Sequence, residues 1–167
     1  MYYRAILSQI LLLIVAQWLL VGCGKDEQRD PRKYAGIHPE FREFVDSYKS
    51  RSGLSIGDLS MNFEDLPDNV AGRCSYSYYN GTNYPEVLVD PEVWDKMSKA
   101  QHENLVYHEL GHCVQGLGHR EELQEDGCPN SLMYHQVLST SCLSKHTDHY
   151  LSEFFSSVKG IWKWHSY

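Results

Sequence analysis

Ser98-Lys99-Ala100-Gln101-His102-Glu103-Asn104-Leu105-Val106-Tyr107-His108-Glu109-Leu110-Gly111-His112-Cys113-Val114-Gln115 carries a helix signal along its whole length. Ser98 with Gln101 three residues later is a capping-box pattern. Val106, Leu110, Cys113, Val114 and, beyond the helix, Leu117 recur on one face, which predicts a helix over about Lys99 to Gln115. On that wheel His108 and His112 lie roughly opposite the centre of the apolar stripe. His108-Glu109-Leu110-Gly111-His112 is an H-E-x-x-H motif: two imidazoles one turn apart can reach one metal ion. Glu109 is rotated from them by about 100°, within reach of a water on that ion. A catalytic zinc site needs three protein ligands and one open position. Gly116-Leu117-Gly118-His119 follows, and its glycines can end the helix and swing His119 back as third ligand. Glu121, Glu122 and Glu125 are the alternatives for that position.

The flanking elements predict an α+β domain. Phe41, Phe44, Val45 and Tyr48 recur at helical spacing from Pro39 to Ser50, and Gly53 ends that helix. Leu59, Met61 and Phe63 alternate with polar residues as a strand does, and Val70 to Tyr79 is a second strand. Asn80-Gly81 is a hairpin-turn signal, with Val87-Leu88-Val89 on the returning strand. The chain is read as irregular from Gly118 to about Thr147, and Asp148 to Trp162 as a closing helix.

The 167 residues suit one domain, and the net charge of -7 with no basic tract excludes a nucleic-acid partner. Met1 to Arg4 followed by the apolar run Ile6 to Val21 is an export signal, too short to span a bilayer. Its end, Leu20-Val21-Gly22-Cys23, resembles a bacterial lipobox. That resemblance implies removal of residues 1–22 and lipid (diacylglyceryl and a fatty acyl such as palmitate) on Cys23. Acyl chains contribute about 0.8 kcal/mol per buried CH₂, so two or three anchor a protein firmly. Gly24, where Asp would signal inner-membrane retention, favours the outer membrane, with the domain facing the periplasm or the exterior. Residues 23–37 are expected to be a lipidated tether and residues 38–167 the folded domain, a monomer.

The block from His108 to His119 resembles the metzincin clan of zinc metalloproteases, whose pattern is H-E-x-x-H-x-x-G-x-x-H. Here one residue more separates His112 from the glycine, giving H-E-x-x-H-x-x-x-G-x-x-H. Ser131-Leu132-Met133-Tyr134 resembles the clan's Met-turn, which implies Met133 as an apolar floor under the metal. In some relatives a tyrosine two residues after the methionine stabilises the oxyanion; His135 holds that place here, and Tyr134 is read as packing. With Gly72-Arg73-Cys74, Val87-Leu88-Val89-Asp90 and Trp94, the block is similar to small metallopeptidase lipoproteins of Gram-negative bacteria, over about residues 70–135. The resemblance implies a compact zincin domain with a small mixed sheet, a long active-site helix and a C-terminal helix. It also implies that Val87, Leu88 and Val89 lie at a sheet edge where an extended peptide substrate could pair.

With Cys23 used for lipid, Cys74, Cys113, Cys128 and Cys142 allow three disulfide connectivities. Cys74–Cys113, stapling strand to helix, and Cys128–Cys142, bracketing the Met-turn, are the preferred pairs. His38, His102, His146, His149 and His165 lack ligand spacing and are read as surface or capping residues, and a tyrosine-rich hairpin (Tyr76, Tyr78, Tyr79, Tyr84) as a groove wall or self-packing. The expected activity is zinc-dependent peptide hydrolysis with one Zn²⁺ and Glu109 as general base. Two alternatives stand beside it: a zinc-binding surface lipoprotein with a protease-like fold but no catalysis, and a structural envelope protein.

Overall fold

A computed structural model describes residues 36–161. The signal segment, Cys23, most of the tether, Trp162 and His165 lie outside the described residues. A 3₁₀ turn at Pro39–Phe41 leads into α1 (Arg42–Ser52), closed by Gly53 in the left-handed region at φ 69°. Strands β1 (Ser60–Phe63), β2 (Gly72–Tyr79) and β3 (Thr82–Val89) follow, then one turn of helix α2 (Pro91–Trp94), α3 (Lys99–Gln115) and α4 (Thr140–Ile161). The fold is α+β, as the patterning predicts, with the small mixed sheet that the family resemblance implies.

The sheet order is β1-β3-β2, with β1 parallel and β2 antiparallel to β3. Asn80 and Gly81 both take positive φ, 47° and 83°, as a two-residue hairpin loop requires. Met61 pairs with Val87 and Cys74 with Val87 from the other side. Val87, Leu88 and Val89 are therefore in the central strand, and all three are buried. The expectation that they form a substrate edge is overturned: both of their ladder faces are taken, so no peptide can pair there. Pro85 is tolerated in β3 because β1 starts pairing only at Glu86. The far edge of β1 is covered by Ile37, which bridges Met61, so β2 carries the open edge among the described residues.

Helix α3 lies between the sheet and a layer made by α1 and α4. It is buried on more than one side: Leu105 and Tyr107 join Val106 and Leu110 in the core. A single stripe reading misses them because it assumes one buried face. Tyr107 stacks on Phe154 of α4, with centroids 5.9 Å apart, and its hydroxyl meets Ser47 Oγ of α1 at 2.9 Å. Helix α4 starts at Thr140, earlier than expected, and His146 breaks its dihedrals at φ -121°, ψ 22°. Ser139 Oγ accepts the Cys142 N–H at the helix start, and Leu143 as the single large apolar residue between Ser141 and His146 leaves no apolar period to mark the helix there.

Disulfides join Cys74 to Cys113 and Cys128 to Cys142. The first ties β2 to the C-terminal end of α3 across 39 residues of sequence. Chain-entropy arithmetic for a loop of that length gives about 4 kcal/mol. A Cys74→Ser/Cys113→Ser protein should lose stability of about that size in urea denaturation, against the oxidised chain as reference.

Candidate metal centre

The capping box at the start of α3 is formed: Ser98 Oγ accepts the Gln101 N–H at 3.4 Å and Gln101 Oε1 accepts the Ser98 N–H at 3.1 Å. At the other end Gly116 turns left-handed at φ 67°, and the Leu117 N–H returns to the Gly111 carbonyl at 2.9 Å. This turn redirects the chain so that His119 folds back over the helix. It also aims the Leu117 carbonyl at His112.

The three imidazoles converge through their Nε2 atoms: His112–His108 and His112–His119 are each 3.1 Å apart, and His108–His119 is 3.3 Å. His108 Nδ1 lies 2.9 Å from the Leu132 carbonyl and His112 Nδ1 lies 2.7 Å from the Leu117 carbonyl. A carbonyl oxygen only accepts, so both Nδ1 atoms carry the proton and both Nε2 atoms present lone pairs. Neutral imidazoles so locked have no proton to share between their Nε2 atoms. A cation relieves that repulsion. Nitrogen ligands at 2.0–2.1 Å around a tetrahedral ion sit about 3.3 Å from one another, so the donor set fits such an ion.

Burial lowers the pKa of His108 to about 4, against the Leu132 carbonyl, which acts the other way, and the neighbouring imidazoles lower it further. Burial, then the neighbouring His112, likewise lowers that of His119. The lowered values keep His108 and His119 uncharged at neutral pH, the form that binds a metal. Glu109 is buried beside them, and burial raises its carboxyl to about 7 against the opposing pull of the Cys74 backbone amide. Its carboxyl packs on Gly72: a Cβ there would lie 2.8 Å from Glu109 Oε1. A Cβ on Gly111 would lie 2.5 Å from Met133 Sδ and 3.0 Å from Phe154 Cε2. Met133 thus presses against the helix between the two histidine turns.

Glu121, Glu122 and Glu125 do not join the cluster. Glu121 Oε2 meets His135 Nδ1 at 2.5 Å, and Glu122 lies 3.9 Å from the Arg120 guanidinium. His135 lines the cleft, whereas Tyr134 is half-buried against the core. A second grouping, Asp126, Cys128 and His146, is close enough to hold an ion, but Cys128 is tied up in a disulfide and Asp126 already pairs with Lys145 and His146. His149 bonds the Asn130 carbonyl, and His102 stacks on Trp94.

Sequence spacing gives no hint of the clamp on α4. Glu153 Oε1 takes the Arg120 guanidinium at 2.6 Å, and Glu153 Oε2 accepts from Ser131 Oγ at 2.9 Å. The Arg120 N–H in turn bonds the Met133 carbonyl at 2.9 Å. One carboxylate therefore holds the residue after His119 and the turn that supplies the Leu132 carbonyl to His108. The cluster opens on a cleft of about 650 Å³, with Tyr76 at one end and Asn104 and Val137 at the other. Of the four hairpin tyrosines only Tyr76 lines it.

Residues 69–137, which contain this cluster and both walls of the cleft, match the family described as "putative phage metallopeptidase". Over this stretch the chain is metallopeptidase-like. No curated protein and no solved structure matches it. A metallopeptidase implies a bound metal ion and peptide substrates, and the triad of imidazoles is where this chain can hold the ion.

Removing the metal with a chelator should lower Tm, with recovery on adding one equivalent back, because an ion bound only by the folded state stabilises it. Glu153→Ala should weaken metal binding by about 10- to 100-fold, the usual cost of losing an outer partner, in competition with a chromophoric chelator.

Proposed function

We propose that this chain is a zinc-dependent endopeptidase carried on a lipid anchor in the bacterial cell envelope. The observation that carries the proposal is the convergence of three imidazole Nε2 atoms, those of His108 and His112 locked as lone-pair acceptors, beside a buried carboxyl at the base of an open cleft. Three imidazoles without a thiolate suit zinc, and three protein ligands leave a position for water or substrate. A zinc ion held by His108, His112 and His119 would lower the pKa of water toward ~7 and polarise a peptide carbonyl.

Glu109 takes the proton from the attacking water and passes it to the leaving amine nitrogen. A carboxyl whose pKa sits near neutrality can do both, and burial puts Glu109 there. The open edge of β2, whose Arg73, Cys74 and Tyr76 line the cleft, is where an extended peptide would pair. Met133 acts as the apolar floor of a Met-turn, in keeping with the metzincin likeness and with its packing on Gly111. The anchor rests on sequence: residues 1–22 as signal, lipid on Cys23, residues 23–37 as tether and 38–167 as the peptidase domain, on the outer membrane in preference to the inner.

Glu109→Gln should retain zinc and lower kcat by about 10²- to 10⁴-fold, the range of general-base contributions. Wild-type rates in a zinc-loaded Glu109→Gln protein would sink the mechanism. A wild-type protein that binds zinc and cleaves nothing in a broad peptide library would be a non-catalytic zinc lipoprotein. Gly72→Ala should also lower kcat with zinc content intact, because the added methyl displaces Glu109 Oε1.

A further inference from the structure

From Cys74 to Pro85 the chain carries four tyrosines and no charged side chain, although 22% of the protein is charged. These residues form most of the β2–β3 hairpin, and its two faces differ. Tyr79 and Tyr84 share one face and are half-buried. Tyr76 and Tyr78 share the other with Cys74, and each is 58% exposed. They are two of the three large apolar side chains left exposed among the described residues. The Tyr76 hydroxyl donates to the Cys113 carbonyl at 3.5 Å, which steadies its ring at one end of the metal-site cleft. Tyr78 stands about 6.8 Å further along the strand, opposite the exposed Asn83. Two rings therefore lead outward from the cleft toward a tip where Asn80, Thr82 and Asn83 are all exposed.

We propose that this hairpin is a sugar-binding platform, and that the peptides cut at the metal site are carried on a neutral glycan. The second half rests on the peptidase function above. A pyranose ring has apolar C–H faces and a rim of hydroxyls. Its C–H hydrogens meet the electron-rich face of a phenol ring. Neutral amides and hydroxyls bond the rim without the cost of desolvating a charge. Nucleobases also stack on tyrosines, but their phosphates need cations, and the hairpin offers none on a chain of net charge -7. Protein interfaces add Arg, Met or aliphatic anchors to their tyrosines; from Ser75 to Tyr84 there is no Arg, Met, Leu, Ile or Val.

The test titrates the full chain with chitotetraose, a neutral chain of four linked sugar rings, by calorimetry. Binding is expected, and Tyr78→Ala should weaken it by about ten-fold, the worth of covering one aromatic face. Tyr78→Phe keeps the ring and should lose less than about three-fold. No binding up to about 10 mM sugar, or equal binding by wild type and Tyr78→Ala, overturns the proposal. The wild-type titration stands even where a variant does not fold. A peptide that the zinc-loaded chain cleaves is then remade with chitotetraose on one Asn. Its kcat/KM should rise about ten-fold, and Tyr78→Ala should abolish the gain with the bare peptide's rate unchanged. Equal losses for bare and sugar-bearing peptides would make the hairpin a peptide exosite and overturn the sugar assignment. Sugar binding that depends on Tyr78, in a chain that cleaves no peptide, keeps the platform and removes the peptidase; cleavage without sugar binding does the reverse.

Discussion

Two hydrogen bonds from ring Nδ1 atoms to backbone carbonyls, His108 to Leu132 and His112 to Leu117, govern the rest of the site. Each fixes a tautomer, and a fixed tautomer fixes where the lone pair points. Both carbonyls come from outside the histidine motif. Leu117 arrives through the left-handed turn at Gly116, and Leu132 through the turn that also buries Met133. The metal-binding geometry is therefore assembled from three chain segments that a helix alone could not bring together.

Close packing sets the second constraint. Glu109 can lie flat against β2 only because residue 72 has no Cβ, and Met133 can reach the helix only because residue 111 has none. These contacts leave Glu109 dry, and dryness is what raises its carboxyl toward neutrality. The Cys74–Cys113 disulfide pins the same strand to the same helix one turn further on. The disulfide and the close glycine contact act in one direction, holding the carboxyl and the imidazoles in a common frame.

Helix α4 is more than a lid on the core. Its apolar side buries Phe154 against Tyr107 and Gly111, while Glu153 reaches out to Arg120 and Ser131. Packing and charge on neighbouring residues of one helix thereby anchor both the third histidine and the Met133 turn. Loops as irregular as residues 116–139 hold a fixed shape only when such contacts offset the entropy of ordering them.

Local sequence determined the long helix, its cap, the hairpin turn and the pair of histidines with Glu109 between them, because each follows from spacing within a few residues. It also favoured the disulfide pairs that the fold contains. It misplaced Val87 to Val89, since an apolar run is alike at an edge and at a centre; only pairing with β1 and β2 decided that. It missed the first turns of α4, where Leu143 as the single large apolar residue sets no period. His119 was one of several options until the Gly116 turn brought its Nε2 beside the others. Glu153 carried no signal at all and Gly72 only a place in a family-like block, because what they do depends on partners more than twenty residues away, and only the tertiary structure sets those distances.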